Sequence, residues 1–190
     1  GMGFDAPRVA QTFEGWNEGT LASYLIEISG KVARAIDPIT GAPMLDVILD
    51  KAGQKGTGRW TVIEAQQLAV AIPVIEAAVT ARNLSARLAD RKKGAEVFGA
   101  MPQPLPEGLL DTDTLERALI AGKILCYAQG FEMLARASAE FDWNLPMSTI
   151  AKIWRNGCII RSEMLNDMAS ALSAHPGESL RRYGQGSSPG

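Results

Sequence analysis

One histidine, two cysteines and no surplus of either charge narrow the chemistry open to this 190-residue chain. The single histidine, His175, cannot make a metal site with ligand spacing, and no Ser/His/Asp or Cys/His arrangement assembles around it. Beside Pro176 it reads as a cation closing a helix C-terminus. Cys126 and Cys158 belong to no paired motif and sit in apolar helical patterns, as reduced core residues of an intracellular protein do. With 19 basic against 21 acidic residues, the formal charge of -2 gives no global reason to expect nucleic acid or an anionic membrane as partner, so any basic site is local. No signal peptide or transmembrane run is read: the longest apolar stretch, Leu68 to Ala81, is interrupted by Pro73 and Glu76. Cytoplasm is the expected compartment. The dinucleotide fingerprint G-x-G-x-x-G is missing, and no convincing strand series or internal repeat occurs.

What is present is helical spacing, at 46% hydrophobic and 21% charged residues. Phe13 and Trp16 close a first amphipathic piece, broken near Asn17, and Leu21, Tyr24, Leu25, Ile28 and Val32 mark a second helix. Met44 to Lys51 fits a short helix or a strand. A helix is expected to start at Thr61, where Thr61 and Glu64 have capping-box spacing, and another to carry Pro73 in its first turn. Gly99 to Leu109, with three prolines, reads as a loop. Asp113 and Glu116 suggest a second capping box opening the longest helix, whose stripe runs through Leu115, Leu119, Gly122, Cys126, Gln129, Met133 and Ala137. Gly122 and Gly130 on it suggest close helix-to-helix approach. A helix through Ile150 and Trp154 follows Pro146, then a break at Asn156-Gly157 and a last helix over Ile160, Leu165, Met168 and Leu172. The expectation is one all-α domain of seven to nine helices over 3–177, with a linker-like tail over 178–190. Gly1-Met2 reads as a tag remnant before the fold.

Ala52 to Thr61 (AGQKGTGRWT) is the chemically suggestive stretch. Three glycines in six residues allow positive φ and close backbone approach, Lys55 adds a point charge, Thr57 a hydroxyl, and helix N–H groups follow, so phosphate is the natural guest. A plain turn before a helix has the same composition. Gly53 and Gly58 match the glycine spacing of a nucleotide P-loop, but Arg59-Trp60 stands where that motif needs Lys-Ser/Thr. Arg82 shares a stripe with Ile75, Ala78 and Val79, so a guanidinium is expected on a buried face, in need of an anion or an internal partner. Arg155 and Arg161 flank the Asn156-Gly157 break and can cap carbonyls, pair across an interface or bind an anion.

The loop, Phe13-Glu14-Gly15-Trp16-Asn17 with Ser23 to Ile28, Lys123 to Phe131 (KILCYAQGF) and Trp154 to Ser162 (WRNGCIIRS) together resemble the C-terminal helical domain of 6-phosphogluconate dehydrogenase, over roughly Gln11 to Gly177. The resemblance implies an all-α domain, a homodimer, and NADP-dependent oxidative decarboxylation of 6-phosphogluconate to ribulose 5-phosphate by the full-length enzyme. It also implies that Lys55, Thr57 and Arg82 contact the substrate phosphate. The family's Rossmann domain, its lysine base and glutamate acid, and the tail arginine and histidine that complete the partner's site have no match here. The chain is therefore expected to be a fragment that binds no cofactor itself and does not turn over alone. A non-catalytic sugar-phosphate-binding or dimerisation module is the other reading.

Overall fold

In the computed structural model, residues 2–99, 105–106 and 108–174 are described; His175, the tail and most of the proline loop lie outside them. Nine helices occur among the described residues: α1 (Ala6–Trp16), α2 (Tyr24–Arg34), α3 (Met44–Val47), α4 (Thr57–Gln67), α5 (Pro73–Ala86), α6 (Leu88–Phe98), α7 (Thr112–Glu140), α8 (Met147–Trp154) and α9 (Met164–Ala174). No strand forms among them; two isolated bridges, Ser23 with Ser162 and Ile36 with Pro43, are the only extended pairings. The all-α expectation holds, and Met44 resolves to a single helical turn.

The 29-residue α7 is the spine, because both apolar clusters close on it. Phe131 joins Leu21, Ile26, Ala151, Met164, Leu165 and Met168 in one cluster, built by α7 with the packed pairs α1/α2 and α8/α9. Ala137, two turns on, joins Ala65, Leu68, Val70 and Ile72 in the other, between α7 and the α4–α5 connection. Lys123 clips α7 to the first cluster: its Nζ donates to Ser162 Oγ (3.2 Å), Ser23 Oγ (3.3 Å) and Leu21 O (3.5 Å). Burial pushes its ammonium below the usual lysine range.

Several expected details are corrected. Asp111, not Asp113, opens α7: its backbone is extended and its carboxylate accepts from Thr114 N at 2.6 Å. Burial pushes up the thiol of Cys126, yet both cysteines are free and only half-buried rather than core residues. Gly122 and Gly130 have no atom within 4 Å of where a Cβ would stand, so no helix of the described chain uses their small size. The Pro73 run breaks at Arg87 into α5 and α6, and Ile160 precedes the last helix. By length and composition α7 could cross a membrane, with mean hydropathy 1.2 over 18 residues and only 6% of that window buried. No unbroken apolar run marks it in the sequence, because Lys123 and small residues punctuate the helix. Length and composition alone do not separate a spanning helix from a helix of a folded all-α domain.

The two arginines at the break after α8 are spent within the chain. Arg155 donates to Asn166 Oδ1 (2.9 Å) and Lys152 O (3.4 Å), and Arg161 Nη2 pairs with Glu27 Oε2 at 2.5 Å. Hydrogen bonds from Lys31 and then Arg161 hold the Glu27 carboxyl below its ordinary 4.5. As pH falls, the unfolded chain takes up that proton first. The contribution of the pair is therefore whole above pH 4.5 and fades as pH drops through the lowered value. We expect Arg161→Met to lower stability above pH 4.5 and to leave it little changed well below the lowered value, which flattens the acid limb of a stability-against-pH curve; an unaltered acid limb would contradict the pairing.

Candidate functional site

The glycine stretch becomes a loop pinned between α4 and α5. α5 starts at Pro73, whose missing N–H costs nothing there, and Gln129 Oε1 of α7 accepts from Val74 N (3.1 Å) and Ile75 N (3.3 Å). That side-chain cap ties the first turn of α5 to the spine. From there α5 runs back past the loop, and three consecutive loop residues bond to it. Ala52 N donates to Ser85 Oγ (2.9 Å), Arg82 Nη2 to Gly53 O, and Gln54 Nε2 to Asn83 Oδ1 and to Val79 O (3.4 Å).

α4 opens at Thr57, four residues before the expected Thr61. Gly56 is its N-cap at φ +117°, a conformation that favours glycine, and Trp60 N donates back to Gly56 O at 2.9 Å. Thr61 is mid-helix, its hydroxyl donating to Thr57 O at 2.9 Å, so it caps nothing. Gly58 is needed for packing: a Cβ there would stand 3.1 Å from Val79 Cγ2. Thr57 is consequently a first-turn residue, and the N–H groups of Thr57, Gly58 and Arg59 begin a helix with no intrahelical acceptor.

Arg82 is exposed, not buried, because α5 presents that stripe to the surface; its partner is the Gly53 carbonyl. The structure thus brings Arg82 to the loop that carries Lys55 and Thr57. The Lys55 side chain is exposed with no partner among the described residues. Thr57 stands at the rim of an apolar groove of about 670 Å³ that continues past Thr61, Ile75 and Cys126 to Lys123 and Tyr127 on α7. The one carboxylate within the stretch leading to the loop, Asp50, is occupied by Arg91 (Nη1 to Oδ2, 2.9 Å), which holds that carboxyl below the usual aspartate range. Cations, a hydroxyl and free helix amides around a loop without an uncommitted carboxylate can accept an oxyanion. Sequence reasoning passed over Gln54, Asn83 and Ser85; the available signal was polar residues following Arg82 on the helix that also carries it. No strand–glycine turn–helix unit occurs among the described residues, and G-x-G-x-x-G does not occur in the sequence.

Fold and loop define an all-helical domain in which a glycine loop with basic side chains is clasped by the following helix. Residues 1–181 match the family described as 6-phosphogluconate dehydrogenase, C-terminal domain, and the chain belongs to that family. It is 44% identical over 172 residues to the NAD(+)-dependent decarboxylating 6-phosphogluconate dehydrogenase of Bacillus subtilis, covering 88% of this chain and 36% of that protein. The NADP(+)-dependent enzyme of the same organism is 41% identical over 177 residues, covering 92% and 38% respectively. Among solved structures, Plasmodium falciparum 6-phosphogluconate dehydrogenase, determined apo, with its cofactor NADP+ and with its substrate 6-phosphogluconate, superposes with a TM-score of 0.84. It is 38% identical and covers 93% of this chain and 38% of its own. The chain thus spans little more than a third of the length of these relatives, which between them use NADP(+) or NAD(+).

Proposed function

We propose that this chain supplies the substrate-phosphate grip, and helical dimer surface, of a cytoplasmic 6-phosphogluconate dehydrogenase that carries out oxidative decarboxylation of 6-phosphogluconate to ribulose 5-phosphate. The observation that carries the reading is Arg82: family resemblance assigns it to the phosphate together with Lys55 and Thr57, and its guanidinium lies on the carbonyl of Gly53 in that same loop. A guanidinium has five N–H donors, so Arg82 can keep Gly53 and still donate to a phosphate oxygen. Lys55 offsets the dianion's remaining charge, the Thr57 hydroxyl donates one hydrogen bond, and the first-turn N–H groups of α4 face the anion from one side. Fixing the phosphate fixes one end of the sugar acid, leaving the oxidised and decarboxylated carbons at a set distance from the loop. NADP or NAD supplies the hydride acceptor in the full-length enzyme.

The chain can be titrated with 6-phosphogluconate, inorganic phosphate and gluconate while backbone amides are followed by NMR. Gly53 to Thr57 are expected to shift with the two phosphates and not with gluconate. Arg82→Ala is expected to weaken 6-phosphogluconate binding at least tenfold, since a hydrogen bond to a charged group is worth about 1.5–3 kcal/mol. Equal shifts with gluconate, or an unchanged Arg82→Ala titration, would remove the phosphate grip. Dimerisation is supported by the large exposed apolar side chains Ile124 and Leu125 on α7, and is read by light scattering.

A further inference from the structure

We propose that Asn83, acting through the side-chain amide of Gln54, is a positioning residue for the oxyanion loop. The inference rests on the phosphate reading above and adds the residue that sets the loop's shape before any ligand arrives. Gln54 lies between Gly53, which Arg82 holds, and Lys55, whose side chain is unpartnered. Its Nε2 reaches α5 at two points, Asn83 Oδ1 and Val79 O. Its Oε1 is buried with no hydrogen-bond partner, so every polar tether of this side chain goes through Nε2. Val79 meets the other end of the loop as well, where its Cγ2 would lie 3.1 Å from a Cβ on Gly58. One face of α5 therefore touches the loop before and after Lys55 and Gly56.

A glycine-rich loop loses much conformational freedom when it closes on an anion, and that cost comes directly out of affinity. Bonds already made to a helix remove part of it. Of the three α5 side chains involved, Arg82 holds Gly53 and keeps its remaining donors for the ligand, and Ser85 holds only the entrance at Ala52. Asn83 is the one that secures the residue adjoining Lys55. Removing it leaves the Gln54 amide with one long bond and an orphaned oxygen, the situation in which a buried polar group costs most.

The test uses the full 190-residue chain. Amide hydrogen exchange of Ala52 and Trp60, the hydrogen-bonded amides on either side of the loop, is expected to speed up about tenfold without ligand in Asn83→Ala, the loss of one hydrogen bond worth about 1–1.5 kcal/mol, while exchange in α9 stays as it was. Asn83→Asp keeps an acceptor for Gln54 Nε2 and is expected to keep the protection. In Asn83→Ala the 6-phosphogluconate titration is expected to weaken severalfold. Unaltered loop exchange in Asn83→Ala overturns the proposal, and so does faster exchange with undiminished affinity. If the wild-type loop ignores 6-phosphogluconate while Asn83→Ala still loses protection, the phosphate reading fails and takes the positioning role with it. That pattern differs from failure of the tether itself.

Discussion

Phe131→Ala is expected to cost about 3–5 kcal/mol of folding stability, the range for truncating a fully buried phenylalanine. The ring is 3% exposed and sits where α7 crosses the first cluster, its centroid 5.3 Å from that of Trp154 on α8. Three losses coincide there: transfer of the ring, the tilted aromatic contact, and a cavity whose walls are backbones of packed helices that cannot close around it. A domain of this size has a total stability of only about 5–15 kcal/mol, so the variant should lose a large share of it. Urea unfolding followed by circular dichroism measures the change, and a loss below about 1 kcal/mol would mean that the cluster is not the core.

Gly56→Ala is the second large effect, expected to cost about 1–3 kcal/mol through its backbone and to loosen the start of α4. At φ +117° an L side chain is strained wherever it points, and here the added Cβ would stand 3.3 Å from Trp60 Cζ2. Gly41→Ala is the comparison, at φ +71° near the left-handed region that L residues can enter and with nothing within 4 Å of the new methyl, so it is expected to cost less. The difference in thermal midpoint between the two variants reads the harsher φ at Gly56 together with the Trp60 contact. Because Gly56 separates Lys55 from Thr57, Gly56→Ala should also blunt the phosphate titration, whereas Gly41→Ala should leave it intact. A Gly56→Ala protein with wild-type midpoint and wild-type titration would show that the loop does not need its positive φ.

The order of helices was legible because apolar residues at a 3.6-residue period must share a face, and Phe13/Trp16, the α7 stripe and Leu165/Met168/Leu172 all do so. Helix starts were less legible. Asp111 and Asp113 are equally good caps by type, and only the extended backbone at Asp111 separates them. At α4 the Thr61–Glu64 spacing was misleading, since a glycine at φ +117° can begin a helix four residues earlier with no side chain to announce it. The association of Arg82 with the loop rested on the family resemblance and on the expectation that its guanidinium needs a partner. The reason offered for it, a buried charge, was wrong. Periodicity reports which residues share a stripe, and the exposed Ala78 and Arg82 show that it does not report whether that stripe is covered. The Gln54–Asn83 tether was invisible, because a long-range pair between two amides has no local signature.

The two clusters described above share α7, with Phe131 in one and Ala137 in the other, on one uninterrupted run of helical hydrogen bonds. A rod clamped at both points cannot release one without straining the other, so heat or denaturant should dismantle the Leu21 side and the Ile72 side in a single step. Protection of amides along the centre of α7 should then equal the global unfolding free energy, making this helix the last part of the domain to open.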